Sequence, residues 1–92
     1  MLRAEFTWQF KKDYKLAIKR GCNPDKLGNI IAMLMNEQPL PEKYRDHALT
    51  SSRNYKNVRE CHIEPDWLLV YKIERERLIL KLIRTGSHSD LL

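Results

Sequence analysis

Pro39 and Pro41 divide this chain, and the hydrophobic pattern changes its period across them. Proline lacks a backbone N–H and its ring collides with the preceding turn, so a helix does not run through such a pair. Before the prolines, apolar residues recur every three to four positions. After them come short runs suited to strands. Helices grouped early and strands grouped late predict an α+β domain with a mainly antiparallel sheet and both helices on one face.

Leu2, Ala4 and Phe6 alternate with Arg3 and Glu5, which predicts a short first strand with one buried face. Thr7 is placed to cap a helix from about Trp8 to Arg20 that stops at Gly21. On that helix Phe10, Tyr14, Ala17 and Ile18 share one side, and Lys11, Lys12, Lys15 and Lys19 largely the other. Asn23 and Pro24 start a second helix whose apolar stripe is Leu27, Ile30, Ile31 and Leu34. Gly28 inside it costs about 1 kcal/mol against alanine, and close helix packing is the expected reason for it.

Past the prolines, Tyr44 to Leu49 reads as a short strand, and Ser51, Ser52 and Asn54 mark a loop. Tyr55–Ile63, Trp67–Ile73 and Leu78–Arg84 are three further strands. The expected order is β-α-α-β-β-β, one domain over residues 1–92 with a sheet of roughly four strands. One sheet face is left to water. Cys61 and Ile63 are expected inward, with Glu60 and His62 outward. In the last strand Leu78, Leu80, Leu82 and Arg84 share one side.

The formal net charge of +5 is a substantial field for 92 residues and favours polyanionic partners, although lysine-rich faces also serve solubility. Cys22 and Cys61 form no CxxC pair, and the histidines show no HxH or HxxxH spacing, so neither a metal nor another cofactor is expected. The opening segment MLRAEFTWQF lacks the apolar core of a secretion signal, and no run approaches the roughly 20 apolar residues of a membrane helix. A cytoplasmic setting with free thiols and no membrane partner is expected.

His47, His62 and His88 all fall at strand ends or loops in the C-terminal half, where a rigid sheet can assemble a site. Each alone reads first as a surface histidine. Together they suit RNA cleavage, in which the ribose 2′-hydroxyl attacks the neighbouring phosphate and the 5′-oxygen leaves. One group takes a proton and another gives one, and imidazole does either near neutral pH. Arg84 is placed to hold the phosphate oxygens. Asp66 is either a turn residue or the orienting partner of a histidine. Trp67 is either a core residue or a stacking surface for a base.

Three segments then converge on a resemblance: Tyr44-Arg45-Asp46-His47-Ala48-Leu49, the run YKNVRECHIEPDW from Tyr55 to Trp67, and Arg84-Thr85-Gly86-Ser87-His88. In this order they resemble the YafQ branch of the RelE-type toxins, over nearly the whole chain. The resemblance implies a ribosome-dependent endoribonuclease that cleaves messenger RNA in the ribosomal A site. It implies a cognate antitoxin in a type II complex, which is expected to bind operator DNA. Carried over by motif, His47, His62, Asp66 and His88 match the acid–base residues, Arg84 the phosphate-stabilising arginine, and Trp67 the neighbouring aromatic. One position departs from the pattern: Leu92 stands where the family has a phenylalanine, and leucine does not stack on a base. That implies weaker substrate positioning, or compensation by Trp67 or Tyr55. It also keeps open a catalytically weak module of the same fold, acting by occluding the ribosome or through its antitoxin. Lys11, Lys12, Lys15 and Arg20 are expected to touch ribosomal RNA or an acidic stretch of antitoxin.

Overall fold

The computed structural model describes residues 1–49 and 57–91. The sequence readings at Ser51, Ser52, Asn54, Tyr55 and Leu92 lie outside the described residues. The elements are β1 (Arg3–Phe6), α1 (Trp8–Lys19), α2 (Pro24–Met35), a 3-10 turn (Glu42–Tyr44), β2 (His47–Ala48), β3 (Arg59–Glu64), β4 (Trp67–Glu74), β5 (Ile79–Gly86) and α3 (His88–Leu91). They form an α+β domain with two main helices on a mixed five-stranded sheet of order β1-β5-β4-β3-β2. The sheet has five strands where roughly four were expected, because the strand expected over Tyr44–Leu49 is present, though cut to His47 and Ala48 by a 3-10 turn that ends at Tyr44. β1 lies parallel beside β5, a contact across the length of the chain that no local pattern signals.

Local chemistry sets the helix ends. Thr7 accepts a hydrogen bond from the N–H of Phe10, and Asn23 from that of Asp25. Each bond satisfies an otherwise orphaned donor, worth about 1 kcal/mol. Gly21 ends α1 at φ 88°, where the N–H of Cys22 donates to the Ala17 carbonyl. Gly28 is exposed and a Cβ there would meet nothing within 4 Å, so the expected close packing is absent.

The core lies between the helices and one sheet face. Phe10 and Ala17 of α1 and Leu27, Ile30 and Leu34 of α2 pack with Cys61, Ile63, Leu69, Tyr71, Leu80 and Leu82. Cys61 is fully buried, which pushes its thiol up to about 12 and leaves it unreactive. Ile18 and Phe6 remain well exposed, so the inward side of α1 and the buried face of β1 are narrower than expected. The second sheet face is not bare either. Val70 is paired between Glu60 and Arg84, and Leu68 between His62 and Gly86, and both are buried.

A register shift between Val70 and Tyr71 inserts an extra residue into β5. Tyr71 opposes Leu82, yet Val70 opposes Arg84. The shift ends the simple alternation: Thr85, not Arg84, follows Leu80 and Leu82 into the interior.

Candidate active site

β3 fixes the centre of the site through its period of two. Cys61 and Ile63 point into the core, so Glu60 and His62 point to the opposite face. β2 pairs His47 with Glu60, which brings a second imidazole alongside. The turn after β3 places Asp66, and the chain leaving β5 places His88. The rings of His47 and His62 lie 6.3 Å apart, and those of His62 and His88 5.6 Å apart. Four residues separated by up to 41 positions in the chain therefore meet at one end of the sheet.

Hydrogen bonds fix the tautomers. Asp66 Oδ1 accepts from the His88 N–H at 3.0 Å and lies 2.6 Å from His88 Nδ1. The His88 backbone N–H and then its ring hold the Asp66 carboxyl below its usual range, so Asp66 is an ionised acceptor. Nδ1 consequently carries a proton and Nε2 is left to exchange one with a ligand. His47 Nδ1 donates to the Arg45 carbonyl at 2.7 Å, and its Nε2 faces Glu60 Oε1 at 3.5 Å. Burial pushes His62 below the ordinary imidazole value. His88, Arg45 and His47 act in the same direction, and Glu60 opposes them. Together these effects favour the neutral form of the His62 imidazole.

The other expected site residues are placed differently. Arg84 Nε and Nη2 donate to Asp13 of α1 at 3.0 and 3.1 Å, so its guanidinium is oriented from the helix layer. Trp67 is 3% exposed and its indole N–H donates to Thr85 Oγ1 at 2.9 Å, so it packs in the core and offers no face for a base. Arg20 binds Asp90 at 2.6 Å and fastens α3 to α1, so its charge is partly matched within the fold while its side chain stays half exposed. That guanidinium, with the Ser87 N–H, pulls the Asp90 carboxyl down to about 2. Lys11, Lys12 and Lys15 lie exposed on α1, with Lys12 stacked over the exposed ring of Trp8 at 4.4 Å.

Four supporting residues escaped the sequence reading. Glu60 carried a signal, since it stands two residues before His62 and so shares its face. Asp46 accepts from Arg59 and from the Tyr71 hydroxyl, which anchors the backbone just before His47. Asp13 and Asp90 find their arginines 71 and 70 residues away, and nothing local announces such pairs. Among the described residues, no three His, Cys, Asp or Glu side chains converge as a metal-ion group.

The fold and the site define a small basic α+β protein that carries a cluster of histidines, side chains able to exchange protons near neutral pH, at one end of its sheet. The chain matches over residues 2–92 the family described as "Bacterial toxin of type II toxin-antitoxin system, YafQ", and it belongs to that family. It is 44% identical over 88 residues to an mRNA interferase toxin YafQ of Escherichia coli (strain B / BL21-DE3), covering 95% of this chain and 91% of that protein. A structure described as a metal-bound toxin from Helicobacter pylori superposes with a TM-score of 0.93 at 43% identity, covering all of both chains. The toxin chain of the E. coli DinJ–YafQ complex superposes at 0.89 with 42% identity, covering 100% of this chain and 99% of that one.

Proposed function

We propose that His47, His62, Asp66 and His88 form the catalytic centre with which this mRNA interferase, an endoribonuclease toxin, cuts messenger RNA in the ribosomal A site without a metal. The observation that carries the reading is the row of three imidazole rings, 6.3 and 5.6 Å apart, whose central member is favoured in its neutral form by burial and whose last is bonded to the Asp66 carboxylate. His62 takes the proton from the ribose 2′-hydroxyl as that oxygen bonds to phosphorus. His88 gives its Nε2 proton to the departing 5′-oxygen, and the charge it loses is matched by the one His62 gains. Asp66 orients the His88 ring through its Nδ1. His47, beside Glu60, flanks His62 on its other side, and Arg84, oriented by Asp13, stands at the β5 end. The products are a 2′,3′-cyclic phosphate and a 5′-hydroxyl.

Specificity for ribosome-bound messenger accords with the basic charge of the chain. The exposed Lys11, Lys12 and Lys15 are the face offered to ribosomal RNA or to an acidic stretch of a cognate antitoxin, as DinJ partners YafQ in E. coli. Operator DNA would then be bound through the antitoxin complex. No helix among the described residues is long and apolar enough to cross a membrane, and the cytoplasm, where ribosomes work, is the setting this function requires. Mapping messenger 5′ ends after induction tests the reading. Discrete in-frame cuts that vanish with His88→Ala support it. Unbroken messages under growth arrest would instead support occlusion.

A further inference from the structure

His62 also forms a wall of a cleft of about 380 Å³, which His88 does not line. The remaining walls include Lys26, Lys43, Tyr44, Arg45 and Glu64. The volume is that of a small-ligand pocket, but the lining is cationic. Lys26 is matched by Glu64 at 2.7 Å. Lys43 lies 5.1 Å over the Tyr44 ring, and neither Lys43 nor Arg45 has a carboxylate partner among the described residues.

Arg45 is held in place by its backbone. It adopts the left-handed conformation at φ 48°, which a residue with a Cβ seldom takes without surrounding constraint. Its N–H donates to the Glu42 carbonyl at 2.9 Å, and its own carbonyl accepts from His47 Nδ1 at 2.7 Å. The root of its side chain is thus fixed against a ring of the cluster. Arg45 and His62 line the same cleft, and the Arg45 charge opposes protonation of that imidazole.

An RNA strand whose scissile phosphate sits between His62 and His88 continues past the His62 wall, and it carries a phosphate at every step. We infer that Lys43 and Arg45 form a second phosphate subsite, binding the phosphodiester next to the scissile one on the His47 side. The inference rests on the catalytic reading of the histidines. A planar guanidinium meets two phosphate oxygens at once, and the Lys43 ammonium adds a point charge.

The test is toxin binding to ribosomes programmed with messenger that is 2′-O-methylated at the cleaved nucleotide, so that titration does not depend on cutting. Each phosphate flanking the scissile one is replaced in turn by a neutral methylphosphonate. For the wild type, one of the two replacements should raise the half-saturating toxin concentration about tenfold. For Arg45→Gln or Lys43→Gln that same replacement should have little further effect, and Arg45→Lys should restore part of the dependence. Losses from substitution and methylphosphonate that simply multiply would overturn the subsite and assign these cations to ribosomal RNA. Indifference of the wild type to both methylphosphonates would overturn it too. Methylphosphonate dependence in a toxin that cuts no ordinary messenger would refute the catalytic reading while leaving the phosphate subsite standing.

Discussion

His62 and His88 meet with their rings 5.6 Å apart, yet they are held by opposite means. His62 stands on β3, a strand paired on both sides, between core residues Cys61 and Ile63. Its environment is set by burial and neighbouring charge, and its position by the sheet. His88 stands on the single turn of α3, half exposed, and owes its position to side chains. Asp66 holds its ring, and Arg20 holds the turn through Asp90, which in turn accepts from Ser87. In the proposed mechanism the scaffold supplies a fixed proton acceptor, while a tethered segment supplies the donor. Errors in the two regions should therefore show differently.

The largest effects test whether both halves are needed. His62→Ala and His88→Ala should each lower single-turnover cleavage on programmed ribosomes by about 10²- to 10⁴-fold. Neither should change the melting temperature much, since both rings lie on the face away from the main core. Near-normal cleavage in either variant would break the pairing of roles. Asp66→Asn should cost less, roughly 10- to 100-fold, the usual scale for a partner that orients a histidine. It should act on His88 alone, so combining it with His88→Ala should add almost nothing.

The tether through α3 is smaller again. Arg20→Asp or Asp90→Arg should lower cleavage roughly two- to five-fold, because the pair is partly exposed and screened. The double exchange should recover most of that loss, whereas a structural role unrelated to the pair would leave it impaired.

The smallest effect is a displacement in pH. His62 must be neutral to accept a proton, so cleavage falls as pH drops through its pKa. Glu60 holds that pKa up against burial, and Arg45 pushes it down. At saturating toxin, Glu60→Gln should move the acid limb of the pH–rate profile to lower pH, and Arg45→Gln should move it to higher pH. Shifts of the same sign would show that the limb does not belong to His62.

The same contrast explains what the sequence made legible. Periodic and local features were readable: the caps at Thr7 and Asn23, the core stripe of α2, and the opposite facing of Cys61 and His62. These depend on neighbours a few residues away. The parallel partner of β1, the β5 register shift that buries Thr85, and the Asp13–Arg84 and Arg20–Asp90 pairs depend on contacts made only after folding. Motif order brought His47, His62, Asp66 and His88 onto one list. It could not say that Trp67 turns inward or that Arg20 is already occupied. Both follow from the tertiary packing of α1, β5 and α3, which sequence spacing does not encode.

The central claim is that His62 and His88 carry out proton transfer for attack by the ribose 2′-hydroxyl. The most direct measurement is the chemistry of the ends left on a messenger cut by purified toxin on programmed ribosomes, compared with His62→Ala. The account predicts 2′,3′-cyclic phosphate and 5′-hydroxyl ends from the wild type, and no cut when the cleaved nucleotide lacks its 2′-hydroxyl. Ends bearing a 3′-hydroxyl and a 5′-phosphate, or equal cutting of the 2′-deoxy messenger, would contradict it.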